Sequence, residues 1–253
     1  MLSFPNRFLG LVGLALLLFS FAPFAFGQGS VNITLTSGGP YVMNGVYVGP
    51  YSATVNGQSA QIICDDFAHD SYLNESWTAN VTNLSNLASS TIPIWSSTTN
   101  NWSFSGQTLG ASTLYADAAW LVTQMLLPAN QNTNTEGYLA YALWSLFNPS
   151  ALKNLTSGQL TNVNSWLSQI PGGLTLGSSQ FANFFIYTPD LTKPITCNGG
   201  SCPTAPPQEF FGFLSAAEGG STVMYLLLAA ASCCAAMFFR SRRQAYIAGR
   251  ELA

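Results

Sequence analysis

The 253 residues carry seven Lys and Arg against ten Asp and Glu, with charged residues at 7% and hydrophobic ones at 48% of the chain. Between Gln28 and Ser221 there are two basic residues, Lys153 and Lys193, against nine acidic ones. Positive charge this sparse excludes a nucleic-acid partner, because phosphate binding needs clustered Lys or Arg to displace counterions. All six tryptophans fall in the same segment, which argues for a packed core and against disorder.

At the start, Arg7 precedes an apolar stretch from Phe8 to Phe21, and Ala25-Phe26-Gly27 has the small-residue spacing of a cleavage site. Residues 1–27 therefore read as a signal peptide removed before Gln28. Residues 28–190 read as one extracytoplasmic α+β domain: an N-terminal antiparallel sheet, a three-helix segment and a late strand. Val31 to Leu35 alternates apolar and polar residues, and Gly38-Gly39-Pro40 marks a turn. Tyr47–Tyr51 and Ala53–Gln58 follow as strands, and the Asn56-Gly57 pair, both tolerant of positive φ, signals a hairpin into Gln61–Cys64. Trp77–Val81 adds another strand, and Asn83–Gly106, rich in Ser, Thr and Asn, reads as a long loop.

The period then becomes helical. Leu114, Ala118, Leu121, Val122 and Met125 recur at three- and four-residue spacings, which predicts a helix over 108–127 stopped by Pro128. A second helix is expected over 135–147. Thr156 and Gln159 have capping-box spacing and open a third, ending near Ile170. Phe184–Thr188 reads as the late strand. Residues 191–217, with Pro194, Pro203, Pro206 and Pro207, read as a linker. Within it Cys197 and Cys202 flank Asn-Gly-Gly-Ser, a loop short and flexible enough for a disulfide in an exported protein.

From Thr222 to Phe239 the chain holds eighteen uncharged residues, enough for about 27 Å of helix, and Arg240, Arg242 and Arg243 follow directly. This predicts one C-terminal transmembrane helix with the polar domain outside and residues 244–253 as a cytoplasmic tail. Cys233 and Cys234 fall inside the span and read as small apolar residues. Glu218-Gly219-Gly220-Ser221, the span and the arginines together resemble the C-terminal sorting signal of PEP-CTERM proteins, with Ala217 and Gly219 in place of the family's prolines. The resemblance implies Glu218, Gly219, Gly220, Ser221, Arg240, Arg242 and Arg243 as the sorting motif. It also implies an exosortase-type processing enzyme as partner and delivery to the cell surface or an extracellular polysaccharide matrix.

The densest group of reactive side chains is Cys64-Asp65-Asp66-Phe67-Ala68-His69-Asp70, which holds the single histidine. It admits three readings: nucleophilic catalysis by Cys64 with His69 as base, a hard-cation site of Asp65, Asp66 and Asp70, or acids that cap the end of a strand. No glycine-rich stretch has the spacing and Lys of a phosphate loop, and no cofactor is implied. Paired carboxylates for glycoside hydrolysis depend on spacing in space and stay open. Trp120, Trp144 and Trp166 fall on predicted helix faces and read first as core, second as stacking surfaces for carbohydrate. Asn32, Asn74, Asn80, Asn83, Asn101 and Asn154 begin Asn-x-Ser/Thr triplets.

Ile63-Cys64-Asp65-Asp66 together with Ala142-Leu143-Trp144 resembles the two signature segments of thioester domains from bacterial surface adhesins. That resemblance implies an internal bond between a Cys thiol and a Gln side chain. The family's Gln position is Ala140 in this chain, with Gln124 on the preceding helix as a distant substitute. The expectation is thus an exported, membrane-anchored or surface-sorted structural or adhesive protein and not an enzyme. The alternative is a surface enzyme or thioester-type covalent binder using Cys64 and the Asp65, Asp66 and Asp70 cluster.

Overall fold

The computed structural model describes residues 29–95, 103–104, 107–177, 179–197 and 205–213. The chain opens with β1 (Ser30–Ser37), the hairpin β2 (Tyr41–Met43) and β3 (Val46–Val48), then β4 (Tyr51–Val55), β5 (Gln58–Cys64) and β6 (Glu75–Asn83). A short 3-10 turn and the pair β7 (Ser103–Phe104) and β8 (Gln107–Thr108) lead into α1 (Ala111–Met125), α2 (Thr133–Phe147) and α3 (Ser157–Ser168). The last elements are β9 (Phe184–Pro189), β10 (Thr196–Cys197) and β11 (Phe210–Phe213). Strands and helices both form, as expected. Among the described residues no helix is long and apolar enough to cross a membrane, and the run 222–239 lies outside them.

Local chemistry explains the element boundaries. Asn56 and Gly57 sit at φ of 49° and 78° and turn β4 back onto β5, as their sequence signals. Asn44 and Gly45 do the same between β2 and β3, with φ of 52° and 82°. This second hairpin divides the stretch 47–51, which reads as one strand from sequence, because Gly49 at φ +88° breaks the extended backbone. Thr156 and Gln159 form both bonds of the capping box at the start of α3.

The large sheet runs β1-β4-β5-β11-β9-β6, and β6 also pairs with β1, so six antiparallel strands close into a barrel. Closure leaves no exposed edge among these six strands, while β10 adds to one end of β6. Opposite residues share a face, and Phe210 stands opposite both Cys64 and Tyr187. Phe210 fills the barrel, stacked on Trp77 with centroids 5.9 Å apart and edge-on to Tyr51 at 5.8 Å. Gly212 is needed there because a Cβ would lie 2.1 Å from a ring carbon of Tyr187.

Burial shows which side of the barrel carries the helices. β1, β4 and most of β6 alternate buried and less buried positions, so only their inner face is covered. β9 is buried at every position, as are the first three residues of β11 and the end of β5. Their outer face lies under the helices, where Tyr115 of α1 meets Phe211 at 6.1 Å. α2 packs between α1 and α3, with the β2–β3 hairpin against it.

The segment expected to be a linker over 191–217 departs most from the sequence reading. It contributes β10 and, in Phe210–Phe213, a strand seated between β5 and β9. The domain therefore reaches at least to Phe213 and does not stop at Asp190. Four residues among prolines are too short to show a period, and their partner strand β5 lies far back in the chain.

Candidate functional site

Register carries the site. One residue beyond the Cys64–Phe210–Tyr187 row, Asp65, Glu209 and Thr188 come side by side on the outer face of β5, β11 and β9. The Asp65 amide donates to the Glu209 carbonyl at 3.4 Å, extending the ladder. Asp65 and Glu209 are both 0% exposed, sealed between barrel and helices.

Glu209 is the anchor of this polar row. Its Oε1 accepts the Tyr115 hydroxyl at 2.5 Å. Its Oε2 accepts the Thr188 hydroxyl at 2.5 Å and the Ile94 amide at 2.8 Å. One carboxylate thus ties together α1, β9 and the loop between β6 and β7. Burial pushes its carboxyl up, while the bonds from Thr188, Tyr115 and Ile94 pull it back down. Asp65 is pushed well above the usual carboxylate range, by burial first, then by Glu209 and Asp66. Neither Asp65 oxygen has a hydrogen-bond partner among the other described residues. Glu209 beside it disfavours a charge on Asp65, while the three donors to Glu209 favour that residue's own charged form.

Cys64 points into the barrel and is 2% exposed. Its Sγ donates to the Asp66 carbonyl at 3.2 Å and accepts the Asp66 amide at 3.4 Å. Burial, then the charges of Asp66 and Asp65, push the thiol well up, so the thiolate a nucleophile requires is disfavoured. His69 turns to Asp66 and not to the thiol. The His69 Nδ1 lies 2.6 Å from Asp66 Oδ2, and Asp66 Oδ1 accepts the Ala68 amide at 2.8 Å. Asp66 therefore caps the turn after β5, the plainest of the three sequence readings.

The cation reading also separates in space. Asp65 faces the helices, Asp66 faces its own turn and Asp70 is exposed. Among the described residues no three His, Cys, Asp or Glu side chains group to hold a metal ion.

The two segments that resemble thioester signatures do meet. The Trp144 indole N–H donates to the Cys64 carbonyl at 2.9 Å, and Phe67 packs on Trp144 at 5.3 Å. Ala140 is buried on α2, and Gln124 stands on α1, where its backbone carbonyl accepts the Asn130 amide group at 2.8 Å. A different glutamine is close: Gln208 Nε2 donates to the Asp66 carbonyl at 2.7 Å, the same oxygen that Cys64 Sγ contacts. Trp144 is 3% exposed, and Trp120 and Trp166 are partly buried against the core, so their packing comes before any stacking role.

A second buried acid has no counterpart in the sequence reading. Glu136, in the first turn of α2, is 0% exposed, and among the described residues neither carboxyl oxygen has a hydrogen-bond partner. Burial pushes it up to about 7. It lies against Gly49, where a Cβ would come 2.8 Å from Oε2.

Glu209, Tyr115, Thr188, Gln208 and Glu136 all escape a reading of local motifs. An acid directly abutting the aromatic pair Phe210-Phe211 is the one local signal for Glu209. Cys197 sits on β10, and Cys202 lies outside the described residues, as do residues 1–27 and Glu218, Gly219, Gly220, Ser221, Arg240, Arg242 and Arg243. No family model matches the chain, and neither a curated protein nor a solved structure matches it.

Proposed function

We propose that the chain is an exported structural or adhesive module, held by its C-terminal apolar run or sorted to the cell surface, and not an enzyme. The observation that carries this reading is the burial of the groups an enzyme would present. Cys64 is 2% exposed, and Asp65 and Asp66 are 0% exposed. Cys64 and Asp66 bond within the turn after β5, and Trp144 of α2 donates to the Cys64 carbonyl, leaving a mainly polar, weakly charged exterior for contact with a membrane surface or polysaccharide. The leader over 1–27 and the tail from Glu218 to Arg243 supply the address, with an exosortase-type enzyme as processing partner.

Intact mass of the protein recovered from membrane, surface and cytoplasmic fractions tests this. The expected species begins at Gln28 and is found outside the cytoplasm. Recovery of the full-length chain from the cytoplasm alone overturns the proposal. Glu218→Ala is expected to leave Ala253 as the C-terminus in cells with an active exosortase. If the unaltered protein also ends at Ala253 there, a plain anchor replaces sorting.

One observation favours a second reading, a covalent binder. Cys64 Sγ and the Gln208 amide share the Asp66 carbonyl, 3.2 and 2.7 Å away. Attack of the thiol on that amide carbon forms a thioester and releases ammonia, lowering the mass by about 17 Da. The same spectrum decides it: an unshifted mass that Cys64→Ala changes only by the substituted atoms removes this reading.

A further inference from the structure

A cleft of about 470 Å³ opens between α1, α2, α3 and the turn that follows α3. Its apolar wall is formed by Leu146, Leu167 and Ile170, and its polar groups are Asp117, Thr113 and Ser168. Thr113 and Asp117 stand one helical turn apart on α1 and so share a face. Asp117 is 8% exposed, and no described residue donates a hydrogen bond to it or pairs with it. Among the described residues it is the one titratable side chain lining the cleft. A carboxylate without a protein partner, set in the aliphatic wall of a cleft, favours a cation that enters and pairs with it.

We propose that this cleft binds a small organic ammonium ion with an apolar body. The volume falls within the range of small-molecule sites. The charge is single and negative, which calls for a monocation. The aliphatic wall calls for a hydrocarbon stem, and among the described residues no aromatic ring lines the cleft to stack a sugar. The Ser168 hydroxyl already donates to the Ser165 carbonyl at 2.8 Å, so its oxygen can still accept from the ammonium. Thr113 offers a second hydroxyl oxygen. This site is separate from the carboxyl row and independent of how the chain is sorted.

The test is calorimetric titration of the full chain in lipid nanodiscs, with empty nanodiscs as the blank. The probes are 2-phenylethylammonium and its neutral isostere 2-phenylethanol. At pH 7.5 the ammonium is expected to bind at least about tenfold more tightly than the alcohol, since a desolvated charge pair discriminates strongly. Burial pushes the Asp117 carboxyl up to about 6 in the empty cleft, so at pH 5 only about a tenth of the sites are ionised and the preference falls about tenfold. The probe keeps its charge at both pH values. Asp117→Asn is expected to abolish the preference at pH 7.5. Equal binding of ammonium and alcohol to the unaltered protein, or a preference that does not change with pH, overturns the proposal without need of any variant.

Discussion

Glu209 and Glu136 are both 0% exposed, yet their surroundings are opposite. Glu209 accepts bonds from Tyr115, Thr188 and Ile94 and has Asp65 beside it. Glu136 has no partner for its two oxygens among the described residues. Both carboxyls are raised, one against three stabilising bonds and in the presence of neighbouring acids, the other by desolvation alone. A raised carboxyl by itself therefore does not distinguish a built polar centre from an isolated buried acid. The donors around it do.

The sharpest way to break this contrast is Glu209→Ala. It leaves two hydroxyls and an amide without an acceptor and opens a cavity under Tyr115, so a loss of about 3 to 5 kcal/mol in urea unfolding is expected. A loss below about 1 kcal/mol would show that the row does not hold barrel to helices.

Next in size is the response to pH. Both glutamates, and Asp65 with them, have folded-state values above their unfolded ones. Their stabilising effect is complete below the unfolded carboxylate range near 4 and is lost as pH rises through the raised folded values. The thermal midpoint is therefore expected to be higher at pH 5 than at pH 8. Glu136→Met removes the isolated acid and is expected to add about 1 to 2 kcal/mol at pH 8, after allowance for solvent screening, with little gain at pH 5. A destabilised Glu136→Met at pH 8 would mean that Glu136 has a partner in solution. The smallest effect belongs to Thr188→Val, which removes one of three donors from Glu209 at nearly constant volume. The expected cost is about 1 kcal/mol, read as a shift in urea midpoint at constant slope.

Much of the secondary structure is legible locally. The apolar spacing around Leu114 to Met125, the Thr156–Gln159 box and the Asn56-Gly57 turn each act over a few residues, and each appears where the chain signals it. The Asn44-Gly45 hairpin bears the same signal, but its three-residue strands are too short to show alternation. Barrel closure is not legible, because the β1–β6 and β5–β11 pairings join segments far apart in the chain. The site divides the same way. Cys64, Asp65 and Asp66 stand out as a cluster, but their roles depend on Glu209 and Trp144, which no local spacing connects to them.

β11 also sets when this domain can fold. Phe210–Phe213 is the last described strand, and it fills the gap between β5 and β9. A chain that emerges N-terminus first has two open strand edges and no Phe210 in its barrel until nearly all of it is out. Closure then joins contacts of long sequence separation, a slow step in which half-formed sheet is open to wrong pairing. A chain cut before Glu209 is therefore not a smaller version of the domain. It is an unclosed sheet, and the final strand is the latch that turns an aggregation-prone intermediate into a sealed barrel.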